Sequence, residues 1–154
     1  MQGVDHEELT AEDVWYNALH GDVDEVERAL QGAPAGSVDH IGVRSWTPLY
    51  AAAARGHANV VQVLLEHSAD PDIATENGWL PLMTAAQQGN TEIVELLLGS
   101  TTDVAARNRD GHNALELAEA AGMREMVRLL RDPTELAEGR AAEAEAFLRT
   151  QRAS

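Results

Sequence analysis

The chain has 154 residues and no cysteine, and its 11 basic residues, all Arg, face 26 Asp and Glu, for a formal net charge of −15. This length suits a single domain, and the missing cysteines exclude disulfide frameworks and thiolate metal sites. The acidity disfavours nucleic acids and anionic membranes as partners, because both repel a negative surface, and it favours a basic protein partner.

The N-terminal part of the chain is the most acidic. Residues 1–30 hold nine acidic residues and one Arg, a net charge of −8, against −7 for residues 31–154. We interpret this segment either as a docking patch for a basic partner or as a solvated face that keeps the chain soluble. No stretch approaches the ~18 consecutive apolar residues of a membrane span, so we expect no membrane segment and a cytoplasmic protein.

The first predicted helix begins at Thr10, where Thr10-Ala11-Glu12-Asp13 resembles a capping box. A helix pair is predicted between Asp13 and Gln31, with a bend at Gly21. Its second helix is very polar, and an irregular insertion follows at residues 32–36.

Three sets of markers then repeat every 33 residues, which is the period of a stacked repeat architecture. They are Gly56, Gly89 and Gly122, then Leu49, Leu82 and Leu115, then Ser45, Gly78 and Gly111. Each copy continues into an apolar helical pattern, at residues 60–65, 93–98 and 126–130. We therefore predict two short helices and a turn in each copy.

The starts of the first helices differ between copies. Thr47 precedes Pro48, which combines a helix cap with a proline at the first helical position. Asn113 retains a cap without the proline, whereas Leu80-Pro81 retains the proline without the cap, which predicts a weaker helix start. Asn77-Gly78 and Asp110-Gly111 are typical of hairpin tips, but Ser45 replaces the glycine, so we expect a strained or differently shaped tip.

Four short motifs in this part of the chain together resemble the ankyrin repeat: Thr47-Pro48-Leu49, Ala52-Ala53, Gly56-His57 and Ser68-Ala69-Asp70. The resemblance covers roughly residues 13–131. It implies an all-α solenoid of helix-turn-helix pairs with hairpin-like tips, in about four repeats. We place the repeats at about residues 10–41, 42–74, 75–107 and 108–131. We expect an acidic tail at residues 1–9 and a C-terminal capping helix at 132–154, with partner binding as the alternative for that helix, and a monomeric chain.

The resemblance also implies a binding surface on the concave side, formed by tips and first helices. Trp46, Trp79 and His112 follow the tips in successive copies and are predicted to form a row, with Tyr50 and Met83 one helical turn further on. The alternative is that both tryptophans pack on adjacent hairpins and that Tyr50 fills a structural position. The full predicted partner-binding set is Trp46, Tyr50, Arg55, Trp79, Met83, Gln87, Gln88, Arg109, His112 and Glu116.

No metal-ligand spacing, phosphate-binding loop or catalytic triad is visible, so we predict no catalytic residue, no metal and no cofactor. The pattern favours a non-catalytic protein-protein interaction module, in a specific form an acidic inhibitor or immunity-type protein for a basic partner. The alternative is a small-molecule-binding protein or enzyme that uses an aromatic and histidine pocket on the concave face. Abundant Ala and Arg without Lys also suggest a bacterial genome rich in G and C.

Overall fold

The computed structural model describes residues 8–100, 102–132 and 145–152. In these residues the regular structure is helical, without a strand, and eight helices form four helix-turn-helix pairs. They are α1 (Ala11–His20) and α2 (Val23–Gly32), α3 (Pro48–Arg55) and α4 (Ala58–Glu66), α5 (Pro81–Gln88) and α6 (Thr91–Leu98), and α7 (Ala114–Ala120) and α8 (Arg124–Arg131). Two 3-10 turns, Ser37–Asp39 and Val43–Ser45, lie in the longer connection between the first two pairs.

The pairs stack in sequence order. α1 packs on α3, α3 on α5 and α5 on α7, while α2 packs on α4 and α4 on α6. The alanine pairs Ala52-Ala53 and Ala85-Ala86 are fully buried, so their small side chains bring the first helices close together. Leu82, in a middle repeat, is 1% exposed. This arrangement confirms the predicted all-α solenoid.

The helix caps follow the sequence pattern. Thr10 Oγ1 accepts a hydrogen bond from Asp13 N, while Asp13 Oδ2 accepts one from Thr10 N, which completes a capping box. Thr47 Oγ1 accepts from Tyr50 N at 3.1 Å. At the start of α5 no side-chain oxygen caps the helix, and Leu80 N instead donates to the weak acceptor Met83 Sδ at 3.5 Å. The prediction of a weaker start for α5 is therefore confirmed in its geometry.

Glycines at the bends within the pairs leave room for the next repeat. Gly21, Gly56 and Gly89 all have left-handed backbones, with φ between 72° and 79°. A Cβ at these positions would lie 2.6 Å from His57, 3.3 Å from Asn90 and 2.8 Å from Met123 respectively, each of which precedes the second helix of the following repeat. Gly122 has the same conformation, but no described atom lies within 4 Å of its Cβ position.

His57 makes the tightest of these contacts. Its imidazole Nε2 lies 3.1 Å from the carbonyl oxygen of Leu19, at the end of α1, and donates a hydrogen bond to it. Any side chain at Gly21 would push the ring away from that carbonyl. A glycine at the bend thus serves both the left-handed backbone and the contact between repeats.

The C-terminal part of the chain is only partly described. Residues 145–152 form a further helical segment, α9, whose side chains are all exposed, including Phe147 and Leu148. Residues 133–144 and most of the predicted acidic tail, residues 1–7, lie outside the described residues. The capping role of residues 132–154 therefore stays a prediction. No helix in the described part of the chain is long and apolar enough to cross a membrane.

The contact between Gly21 and His57 generates the first prediction. Gly21→Ala and Gly122→Ala both put a Cβ on a left-handed backbone, which costs roughly 1–2 kcal/mol. Gly21→Ala also displaces the His57 ring, so we expect a further loss of about 1–3 kcal/mol. Urea unfolding of the two variants measures the difference, and equal losses would show that the contact between repeats contributes nothing.

Candidate functional site

Three tips close with the same backbone hydrogen bond. The amide at each tip's start donates to the carbonyl of the residue that follows the tip, at 2.9 to 3.0 Å: Gly42 to Trp46, Thr75 to Trp79 and Asn108 to His112. These donors and acceptors are each 33 residues apart. Trp46, Trp79 and His112 therefore occupy equivalent positions in successive repeats.

The tip at residues 42–46 differs from the other two in its backbone. Arg44 and Ser45 have φ values of 61° and 58°, whereas the left-handed position is taken by Gly78 and Gly111 in the following tips. A residue with a Cβ in this conformation costs roughly 1–2 kcal/mol, so this tip is strained, which is one of the two alternatives that the missing glycine predicts.

The same tip also lacks a side-chain brace. Thr75 Oγ1 accepts a hydrogen bond from Trp79 N at 3.2 Å, and Asn108 Oδ1 accepts one from His112 N at 3.0 Å. Gly42 has no side chain with which to do this, and a Cβ there would lie 2.6 Å from the Trp15 ring. The close packing of Trp15 thus requires glycine at position 42. As a result, this tip lacks the side-chain hydrogen bond that stabilises the other two tips.

Hydrogen bonds between the loops hold neighbouring tips at a fixed spacing. Asp39 Oδ1 accepts from Asp70 N at 2.9 Å, and one repeat later Asp72 Oδ1 accepts from Asp103 N at the same distance. At the last two tips, a backbone amide donates directly to the carbonyl oxygen of Asn77 at 3.1 Å. The positions of the tip side chains relative to each other are therefore set by the stack.

A cleft of about 510 Å³ lies between the tips at 42–46 and 75–79 and the first helices α3 and α5. Its lining combines aromatic rings with charged and amide groups: Arg44, Trp46, Tyr50, Thr75, Glu76, Asn77, Trp79, Thr84 and Gln87. Four of these, Trp46, Tyr50, Trp79 and Gln87, belong to the predicted partner-binding set.

The three rings have different degrees of burial. Trp46 and Tyr50 meet edge to face, with centroids 4.9 Å apart and planes at 60°. Tyr50 is only 7% exposed, and this burial raises the pKa of its phenol, although a hydrogen bond with Thr84 acts in the opposite direction. Trp46 and Trp79 are half-buried, and Trp79 packs partly on the core. Each tryptophan side chain therefore packs in part against the protein and leaves the rest of its ring exposed in the cleft.

Met83 does not belong to the surface. It is 1% exposed and lies in the core, one repeat after Tyr50 in the equivalent position, so its side chain is not on the predicted concave surface. Tyr50 is also buried, at 7% exposed, but unlike Met83 it lines the cleft. The sequence shows that Tyr50 and Met83 each lie four residues, about one helical turn, after the residue that follows the tip. This spacing does not show whether a side chain lies on the concave surface or in the interior.

Glu116 is engaged within its own repeat. Its carboxylate accepts from Asn113 N at 3.2 Å and from Arg107 Nη1 at 2.9 and 3.1 Å. The backbone hydrogen bond from Asn113, together with Arg107, holds the pKa of Glu116 below its usual range. Glu116 thus completes the capping box of α7, and Arg107 neutralises it.

The other predicted residues lie outside the cleft. Gln88 is exposed at the end of α5 and donates through Nε2 to the carbonyl of Ala54 at 3.0 Å. Arg55 is exposed at the end of α3, and Arg109 and His112 are exposed at the last tip. The predicted partner-binding set does not include five lining residues, Arg44, Thr75, Glu76, Asn77 and Thr84, although four of them lie two to four residues before a tryptophan.

The described residues hold no cluster of three or more His, Cys, Asp or Glu that could bind a metal ion. A family model for ankyrin repeats, in three copies, matches residues 14–108 and 70–138, which together span most of the chain. The chain belongs to the ankyrin-repeat family. No curated protein matches it at a significant level. Ankyrin repeats generally act as protein-protein interaction modules.

The second prediction concerns acid stability. A carboxylate with a lowered pKa in the folded state stabilises the fold above the ordinary glutamate pKa of about 4.3, and this contribution disappears as the pH falls through the lowered value. Glu116→Gln retains a side-chain acceptor for Asn113 N but removes the charge. As the pH falls from about 5 to about 2.5, we therefore expect Glu116→Gln to lose less stability than the unmodified chain.

Urea unfolding at a series of pH values measures this effect. Glu27→Gln is the control, because Glu27 is exposed on α2 and makes no hydrogen bond or ion pair in the described part of the chain. Some acid sensitivity will persist in every variant, since hydrogen bonds from Thr10 lower the pKa of Asp13 as well. Parallel acid unfolding of Glu116→Gln and the unmodified chain would contradict the role of Glu116.

Proposed function

We propose that this ankyrin-repeat chain is a non-catalytic module whose protein partner binds in the cleft between the tips at 42–46 and 75–79. The observation that carries this proposal is the pairing of two half-buried tryptophans, Trp46 and Trp79, at equivalent positions on either side of one cleft. Exposed aromatic side chains that are anchored from behind are typical of interface hot spots. The fold holds these rings in place before a partner arrives, which reduces the entropy lost on binding.

A small-molecule or enzymatic role has less support. The volume of about 510 Å³ falls within the range of ligand pockets, but the cleft is open to solvent, whereas such pockets enclose most of a ligand's surface. His112, the histidine of that alternative, lies at the next tip and does not line the cleft. Among the described residues that line the cleft there is no histidine to act as an acid or a base.

The charge of the chain favours a basic partner. A net charge of −15, with −8 in residues 1–30, attracts cationic proteins over a distance of about one Debye length and speeds their association. An acidic inhibitor or immunity-type protein that neutralises a basic enzyme or toxin is the specific form of this proposal. In that role the charge governs the rate of encounter, and the aromatic cleft governs the lifetime of the complex.

The third prediction tests the cleft. Partners are selected from a display library of genomic fragments of the source organism, and their affinities for purified variants are measured. Trp46→Ala and Trp79→Ala should each weaken binding by ~2 kcal/mol or more. Tyr16→Ala is the matched control, because this aromatic ring is 57% exposed on α1, outside the cleft, and its loss should leave the affinity unchanged.

Thermal unfolding of each variant separates binding from folding. Trp79→Ala will also lower the melting temperature, since part of its ring packs on the core, so affinities are compared well below all the melting transitions. The association rate with a basic partner should fall as salt rises. If the selected partners bind all three variants with equal affinity, the cleft is not the binding site. If the association rate does not change with salt, the net charge of the chain does not speed the encounter.

A further inference from the structure

Two opposite charges without partners face the same cleft. Arg44 lines it from the tip at 42–46 and Glu76 from the tip at 75–79, yet within the described residues neither side chain makes an ion pair or a hydrogen bond. Three arginines pair with carboxylates at 2.6 to 3.1 Å, in Arg28–Glu25, Arg107–Glu116 and Arg131–Glu119. Arg44 makes no such pair within the described residues, and among the arginines it is the one that lines the cleft, so its guanidinium is available to a ligand there.

The backbone at Arg44 supports a role for this side chain. Its left-handed φ of 61° is a conformation that residues with a Cβ avoid, and the two following tips reach their shape with a single left-handed glycine. Strained positions of this kind concentrate at binding sites, where the surrounding structure holds them in place. Here the strain occurs at the one tip whose arginine lines the cleft.

The remaining surface of the cleft suits a bulky apolar side chain. Trp46 and Trp79 present the exposed parts of their rings, and their indole N–H groups make no hydrogen bond within the described residues. A planar guanidinium binds a carboxylate through two parallel hydrogen bonds, and a carboxylate such as Glu76 accepts from an ammonium or a guanidinium. The cleft therefore combines an apolar surface with two charges of opposite sign, one from each tip.

We propose, resting on the function proposed above, that the cleft binds a peptide segment of its partner in one register. An acidic side chain of this segment pairs with Arg44, a basic side chain pairs with Glu76, and a large apolar side chain between them contacts Trp46 and Trp79. A purely basic segment would bring a positive charge against Arg44 and is disfavoured. The net charge of the chain thus attracts the partner as a whole, whereas the pair of opposite charges selects the segment that binds.

A random peptide library displayed on phage tests this pattern without a known partner. The full chain is the immobilised target, and peptides that also bind Trp46→Ala/Trp79→Ala are discarded. We expect the enriched peptides to carry an acidic and a basic residue on either side of an aromatic or large aliphatic one. An enriched peptide and a copy with its two charges exchanged are then synthesised, and their affinities are measured by titration.

Charge reversal in the chain completes the test. Arg44→Glu should lower the affinity for the enriched peptide at least tenfold. The double variant Arg44→Glu/Glu76→Arg should bind the charge-exchanged peptide more tightly than the original one. Arg124→Glu is the matched control, because it alters the net charge equally from an exposed position on α8, outside the cleft and outside the predicted partner-binding set, and we expect less than a threefold change. Ser45→Gly retains Arg44 and relieves part of the strain, so it should raise the melting temperature and retain the charge preference.

The outcomes separate the two proposals. Enriched peptides that require the tryptophans but share no charge pattern would overturn the charge-pair proposal and leave the proposed function standing. An equal effect of Arg44→Glu and Arg124→Glu would do the same, as would a peptide preference that the double variant does not reverse. If no enriched peptide requires either tryptophan, the cleft is not a peptide-binding site and both proposals fail.

Discussion

The contact between one repeat and the next is the interaction on which this structure depends. Each of α1 to α8 has only seven to ten residues, which is too short for a helix to be stable alone in water. A pair of such helices gains its stability by burying an apolar face against a neighbouring pair, and here the first helices contact each other along the whole stack. Two further features act at these junctions between repeats. The glycines at the bends leave space for the next repeat, and the loop residues Asp39 and Asp72 accept hydrogen bonds from amides of the next repeat.

A regular stack makes small differences between repeats functionally important. Because every tip closes with the same hydrogen bond, the side chains that follow the tips are held at equivalent positions, and only their identity varies. Tryptophan at two successive positions creates an aromatic cleft between them, whereas the histidine at the third lies outside it. The tip with the least internal support, at residues 42–46, is also the one that contributes Arg44. The Trp15 ring of the preceding repeat lies close against Gly42, at the start of this strained tip.

Charge acts on two length scales in this molecule. The excess of acidic residues, greatest in residues 1–30, creates a long-range attraction for cationic proteins that does not depend on geometry. Inside the cleft a single arginine and a single glutamate stand on different repeats, where short-range geometry determines which groups they meet. Elsewhere on the surface some arginines form ion pairs within their own repeat. Arg107, for example, neutralises a capping glutamate and so supports the start of α7.

The repeats, the helix pairs, the caps and an unusual tip at Ser45 could all be predicted from the sequence alone. Each of these follows from local chemistry: a 33-residue period, a hydroxyl or amide before a helix, and a missing glycine at a tip. The sequence also placed Trp46 and Trp79 in equivalent positions. Which side chains face the cleft depends on the tertiary packing. Tyr50 and Met83 share a position in successive repeats, and only the folded structure shows that both are buried and that Tyr50 nevertheless lines the cleft. Arg44 and Glu76 are 32 residues apart and line one cleft solely because two repeats stack, a relation that no local pattern contains.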